Sequence, residues 1–492
     1  MQTGQTQQEK TTTNNKSKFR WWIIPVIAGS VGVGAILGGG AVAWSDSETN
    51  FTQSSENREA TLHQLNIFAD VLARVNTDYV VQPKQDELID SAINGMLSSL
   101  DPHSSFMNAK EFNNMQTSTR GEYGGLGLEV TSDAGSVKVI SPMDGSPGQK
   151  AGIKAGDRII AIDGKNIVGM PLDDAVEQMR GKPGTSIDLT ISREGTEGPI
   201  VLKLKREIIV LHAVTSRVEG DIGYIRISTF VNENTSKEVD KALDDIQRKL
   251  GGNVKGIILD LRNNGGGLLD QAVEVSDIFM DRGEIVSTRG RRPEQIERYY
   301  GNAGEKMAGV PLVILTNEGT ASASEIVAGA LQDRKRAVIF GTTSFGKGSV
   351  QTVIPLSGGK DGALRLTTAK YYTPSGRSIQ GAGIKPDIEV SGIRLTDKDI
   401  ERRKAEFRFE EDLPNALNND SGAKREQPHM PKDMPPENWN KDKDYVLDRA
   451  IAFIHAGMPK GGLVQTADAQ KPAAKKPETG KQVPTPVKVP MK

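Results

Sequence analysis

Four short apolar runs recur between residues 222 and 342, "IGYIRIS", "VKGIILDLR", "VPLVILT" and "RAVIFGT", and stretches with helical spacing lie between them. A strand that is apolar along its whole length has no face to give to water, so it needs cover on both sides. Strands that run the same way also need a long crossover, and "SKEVDKALDDIQRKL", "LLDQAVEVSDIFM" and "SASEIVAGALQD" are placed to supply it. The pattern predicts an α/β sheet with helices packed on its faces. In such sheets chemistry gathers where strand ends meet helix N-termini, which offer unpaired N–H groups.

The rest of the chain divides around that core. Residues 59 to 100 carry helical spacing, with Leu62, Ile67, Phe68, Val71, Leu72 and Val75 on one side and a second run through Ile89, Ile93 and Leu97. "DPHSSF" (101 to 106) reads as a turn. From "GEYGGLGLEV" onward, "SVKVISP", "DRIIAIDG" and "SIDLTISREG" are strand-like, with "PLDDAVEQMRG" a short helix, which suggests a small, mostly β module. The organisation expected is 1–50 as cytoplasmic stub and signal or anchor, 51–115 helical, 116–207 mostly β, 208–394 α/β, 395–463 an extension ending in the helix "DYVLDRAIAFIHAG", and 464–492 a disordered tail.

Residues 21 to 44 carry no charge, a length that would cross a bilayer as a helix. The basic "KSKFR" before this stretch, with Asp46 and Glu48 after it, places the N-terminus in the cytoplasm and exports the remainder to the periplasm or the outer side of the cell membrane. "AVA" (41 to 43) also fits a small-residue cleavage site, so retention and removal both stay open.

Composition excludes several classes. Sixty-two basic against 63 acidic residues and 5% aromatics give neither the field nor the stacking platform that nucleic acid needs. Without cysteine there is no disulfide, thiolate zinc site or cysteine nucleophile. No metal or cofactor is expected.

"EGTASASEIV" (318 to 327) places Ser322 and Ser324 at a strand-to-helix turn. Ser322 and Glu325 also have the spacing of a capping box, and on this stretch alone capping is the simpler reading. No histidine lies nearer in the chain than His212 and His429, so a Ser-His-Asp triad is poorly supported. A lysine can serve as base if desolvation lowers its pKa from about 10.4 toward 7, at roughly 4 to 5 kcal/mol. "GTTSFGKGSVQTVI" (341 to 354) offers Lys347 between two glycines, sharing a strand face with Ser349 and Gln351. A phosphate loop is the rival for this stretch; it fails at Gly348, where a hydroxyl is required. "LRNNGGGLLD" (261 to 270) would let backbone N–H groups approach a substrate closely.

"LDPHSSF", "GGLGL", "LDLRNNGGGL", "GTASASEIVAGALQD" and "FGKGSVQ", in that order, resemble the carboxyl-terminal processing (tail-specific) protease family over about residues 60 to 390. The resemblance implies a serine-lysine endopeptidase acting through an acyl-enzyme, with a PDZ domain inserted beside a crotonase-like α/β core. It assigns the nucleophile to Ser322, the base to Lys347 and the residue that positions the lysine to Gln351, and makes Ser324 a helix residue. Oxyanion donors would be the N–H of Ala323 and one glycine of 265–267, with Gly266 favoured. The loop Gly124, Gly125, Leu126, Gly127 and Leu128 would hold a chain-terminal carboxylate while the peptide adds a strand. The stretch around Arg180 would touch the protease core and couple the two. Some members give weight to an aspartate at the place of Asp333, but eleven residues along a helix is about 16 Å. Asp333 is therefore expected to support the helix end among Arg334, Lys335 and Arg336. Implied partners are protein or peptide substrates with free C-termini, an adaptor or a second copy, and the membrane if the N-terminal segment is kept. A non-catalytic peptide-binding scaffold on the same core is the alternative.

Overall fold

The computed structural model describes residues 46–133, 135–406 and 408–457. The segment 21–44 and the tail 464–492 lie outside them. Among the described residues no helix is long and apolar enough to cross a membrane. The chain forms two compact units, residues 1–83 and 84–492. The first holds the helix Asp46–Asp78, on which Leu62, Ile67, Phe68 and Val71 are exposed. Among the described residues of that unit no second helix or strand covers its apolar side.

In the second unit a six-stranded sheet runs in the order Val214–Glu219, Ile222–Ile227, Gly256–Asp260, Leu312–Thr316, Val338–Gly341, Ile388–Glu389. The first strand is antiparallel to its neighbour and the others are parallel. Alternate side chains explain the unbroken apolar runs. Ile225, Ile257, Leu259, Ile314 and Ile339 pack under the helices Thr235–Lys249, Leu269–Ile278 and Ala323–Asp333. Tyr224, Ile258, Val313, Leu315 and Phe340 face the other way, onto Val446, Leu447, Ala450 and Ile454 of the helix Tyr445–His455. The C-terminal helix is thus the second cover that the strands require. Its N-cap, Asp444, is joined to the sheet by Arg262, which donates to Asp444 at 2.6 Å and to the fully buried Asp260 at 2.6 Å.

A second sheet has five strands: Ser105–Met107, Ala363–Tyr372, Gly283–Gly290, Ile296–Gly301, and Ser349–Pro355 paired along Ala363–Tyr372. The sequence reading anticipated the strand after Lys347 but missed the hairpin 283–301. The mostly β module forms a six-stranded sheet around its own core of Val137, Val139, Ile159, Leu189 and Ile191. Among the described residues its outer strand Leu128–Asp133 pairs only with Ser136–Pro142, leaving one edge unpaired beside the helix Leu172–Met179.

Candidate active site

Ser322 stands between the strand Leu312–Thr316 and the helix Ala323–Asp333 with φ 56° and ψ −118°. A residue with a Cβ adopts such angles at a cost of about 1 to 3 kcal/mol, and only where its surroundings enforce them. Here Ala321 N–H donates to Asn264 O at 3.0 Å and Ser322 N–H to Glu325 Oε2 at 2.7 Å. A capping serine would have extended backbone angles and use its hydroxyl on the helix. Ser322 does neither: the N–H groups of Glu325 and Ile326 bond its carbonyl oxygen. The two serines differ as well. Ser324 is fully buried and its hydroxyl is committed to Asn264 O at 3.0 Å. The Ser322 hydroxyl faces the phenol of Tyr371, whose pKa burial raises and Ser322 partly offsets.

Glu325 does more than return to Ser322. Fully buried, its Oε1 accepts from Ser344 Oγ at 2.5 Å and Gly346 N–H at 2.7 Å, and Oε2 from Lys347 N–H at 2.9 Å. One carboxylate therefore holds the serine turn and the lysine loop together. Burial pushes its pKa up to about 7, against the pull of these donors. The Lys347 amine makes no hydrogen bond or ion pair among the described residues, and none joins it to Ser322. Burial lowers its pKa; Glu410 acts upward, Arg365 downward, and Glu325 and Asp101 upward.

Gln351 shares a face with Ser349, as Nε2 donates to Ser349 Oγ at 3.0 Å and to Thr367 Oγ1 at 3.2 Å. Thr367 in turn donates to Asp101 Oδ1 at 3.0 Å, and Asp101 also accepts from the N–H groups of His103 and Ser104 and from Ser104 Oγ. The "DPHSSF" turn, given no role by the sequence reading, is thus part of the same polar assembly. Its members are a few residues apart in one turn and more than two hundred from their partners, so no local pattern could have connected them.

The glycine run lies against the serine turn: a Cβ on Gly266 would sit 2.8 Å from Ala323 N. Gly266 has φ 93°, and its N–H is directed to Asn264 Oδ1 at 2.9 Å. The favoured glycine donor is therefore engaged. The N–H groups of Ala323, Gly265 and Gly267 have no hydrogen bond among the described residues. Asp333 does meet ordinary structural partners, but they are Ser375 N–H at 3.0 Å and Arg377 at 2.5 Å rather than the basic residues that follow it.

In the β module, Gly124 and Gly125 end the strand Glu122–Gly125, and Leu126 and Gly127 lead into Leu128–Asp133. The carbonyls of Leu126 and Gly127 are bonded inward, to Gly148 N–H and to Met143 N–H, while their own N–H groups donate to nothing among the described residues. A cavity of about 100 Å³ beside them is lined by Leu128, Val130, Val176 and Met179, with Arg180 at its wall. The stretch around Arg180 was expected to touch the protease core; among the contacts of Arg180 itself, the guanidinium lies 4.9 Å from the Tyr123 ring centre, with Nε buried and unbonded. Among the described residues no group of three or more His, Asp or Glu side chains is placed to hold a metal ion.

Residues 221–390 match peptidase family S41, 115–192 a PDZ domain, and 30–111 the N-terminal domain of the activating protease CtpB. A carboxy-terminal-processing protease of Bartonella bacilliformis is 55% identical over 338 residues, covering 68% of this chain and 77% of that one. Carboxy-terminal processing protease CtpA of Bacillus subtilis is 38% identical over 325 residues, 64% of this chain and 67% of that one. Among solved structures, the photosystem II D1 C-terminal processing protease aligns at 30% identity with a TM-score of 0.39, over 72% of this chain and 99% of that one. A serine peptidase with an inserted PDZ domain is the class that these matches define. The chain belongs to the carboxy-terminal processing proteases of peptidase family S41.

Proposed function

We propose that this chain is an exported endopeptidase that captures C-terminal tails through its PDZ domain and cleaves them with Ser322 as nucleophile and Lys347 as base. The observation that carries the reading is the Ser322 turn: a strained, hydroxyl-bearing residue at a helix N-terminus, tied through Glu325 to the loop of a half-buried lysine whose amine has no partner among the described residues. The neutral Lys347 amine takes the proton from Ser322 Oγ as that oxygen bonds to the scissile carbonyl carbon. Negative charge then gathers on the carbonyl oxygen, within reach of the Ala323 N–H and one N–H of residues 265–267, where Gly265 and Gly267 are the open donors. Lys347 returns the proton to the leaving amine, and water releases the acyl group by the same route. Gln351, its amide nitrogen committed to Ser349 and Thr367, has Oε1 to offer the lysine without adding a charge.

The unpaired edge at Leu128–Asp133 and the open N–H groups of Leu126 and Gly127 suit a peptide that ends in a carboxylate. Arg180, beside that loop with an unbonded Nε, would carry its occupancy to the core. The domain organisation expected from the sequence is kept as part of this proposal, as is the exported location.

Ser322→Ala should abolish cleavage of an unfolded protein substrate, and Ser324→Ala should retain part of it. Lys347→Arg should lose at least ~10²-fold in kcat despite keeping its charge, because a guanidinium does not give up its proton in the working pH range. Near-normal turnover by Lys347→Arg, or a ranking in which Ser324 is the essential serine, would overturn the assignment.

A further inference from the structure

The segment beyond residues 221–390, outside the stretch matched to the peptidase family, brings a carboxylate to the lysine loop. Glu410 is 1% exposed. Its Oε1 accepts from Gln380 Nε2 at 2.9 Å, and its Oε2 meets His103 Nε2 at 2.8 Å. Gln380 is fully buried; its Nε2 also reaches Leu417 O at 3.1 Å, and its Oε1 accepts the Gly348 N–H at 3.0 Å. A carboxylate only accepts hydrogen bonds, so Glu410 dictates which end of the Gln380 amide faces it and leaves the oxygen for Gly348. Gly348 follows Lys347 directly and packs so closely on Gln380 that a Cβ there would lie 2.3 Å from Gln380 N.

We propose that Glu410 is a positioning residue for Lys347: it locks the Gln380 amide so that the Gly348 backbone holds one place, and through His103 it ties that point to the turn that orients Gln351. The inference rests on Lys347 being the base. The charge of Glu410 has a separate effect. The groups that act on the amine are Glu410, Glu325 and Asp101, which favour its charged form, and Arg365, which opposes it. Removing the Glu410 charge makes the neutral amine easier to keep, whereas removing only its reach leaves the protonation balance in place and loosens the loop.

The test is the pH dependence of kcat and KM on one peptide substrate, with folding monitored by circular dichroism and Tm. Glu410→Gln should lower kcat about tenfold or more, since misplacement of a reacting group is costly, and should move the acid limb of kcat/KM to lower pH by about half a unit. Glu410→Asp keeps the charge but loses reach, so kcat should fall with the acid limb unmoved. Gln380→Ala should cost as much as Glu410→Asp, and the double variant no more than either. A merely structural residue would not move the limb. Should Glu410→Gln fail to fold, the Glu410→Asp and Gln380→Ala cycle decides alone. An unmoved limb with wild-type kcat in folded Glu410→Gln, or additive losses in the cycle, would overturn the proposal. Lys347→Ala separates the two levels: if it is inactive while the Glu410 variants are indifferent, only this inference falls. If it still turns over, the base assignment falls and takes this with it.

Discussion

Glu325 shows how one residue can serve the serine and the lysine at once. Its carboxylate receives donors from Ser322, Ser344, Gly346 and Lys347. Because burial lifts its pKa to about 7 from an ordinary 4.5, the folded protein holds a proton there that the unfolded chain releases. The stability tied to that proton is therefore fully present below about pH 4.5 and is lost as pH rises through about 7, a difference of roughly 3 kcal/mol. Denaturant unfolding at pH 5 and pH 8 in the inactive Ser322→Ala background should show this loss, and Glu325→Gln should flatten it. In the otherwise wild-type enzyme, Glu325→Gln should also cost at least ~10-fold in kcat, because an amide nitrogen would face one of the donors. Equal pH slopes with and without the carboxylate would refute the account.

At the scale of elements, the proposed reading of chain ends rests on the open loop 126–127 and on the free edge of the strand Leu128–Asp133. A peptide with an amidated C-terminus loses charge-assisted hydrogen bonds worth about 1.5 to 3 kcal/mol each, so its affinity should drop at least tenfold by calorimetry. Equal affinity for the free and amidated peptides would make the loop structural. Apolar final residues should bind best, since Leu128, Val130, Val176 and Met179 line the adjoining cavity. The elements differ in how much the sequence revealed of them. The strands from Ile222 to Gly341 were legible because both of their faces are buried, and the helix Tyr445–His455 because its apolar side repeats. The hairpin 283–301 was not: its second strand, "IERYYG", is mostly exposed and carries polar side chains at an edge, so it lacks the alternation that marks a half-buried strand. Ser322, Lys347 and Gln351 were singled out through their motifs. Glu325 was read as a cap because its near partner is three residues away, while its others lie 19 to 22 residues on. His103 and Glu410 are 307 residues apart, a distance at which spacing carries no information.

For the whole molecule, the salt bridge from Arg262 to Asp260 and Asp444 is a polar link between the sheet and its C-terminal cover, beside that of His455 to Asp221. Arg262→Ala would leave the fully buried Asp260 with a charge short of partners, a change that typically costs about 3 to 5 kcal/mol. We expect a clear fall in Tm and faster amide exchange across Tyr445–His455, and an unchanged Tm would show that the apolar contacts of that helix suffice alone. The order of synthesis gives the C-terminal cover a further meaning. A growing chain emits Ser322 and Lys347 long before Glu410, the Arg425 guanidinium that donates to Thr343 O at 2.7 Å, and the helix that closes the sheet. Until residue 425 has appeared the lysine loop lacks these contacts, and until residue 455 has appeared the apolar underside of the sheet lacks its lid. If Ser322 and Lys347 act as proposed, a chain that stops short of this stretch should therefore be a poor protease toward itself and toward whatever surrounds it.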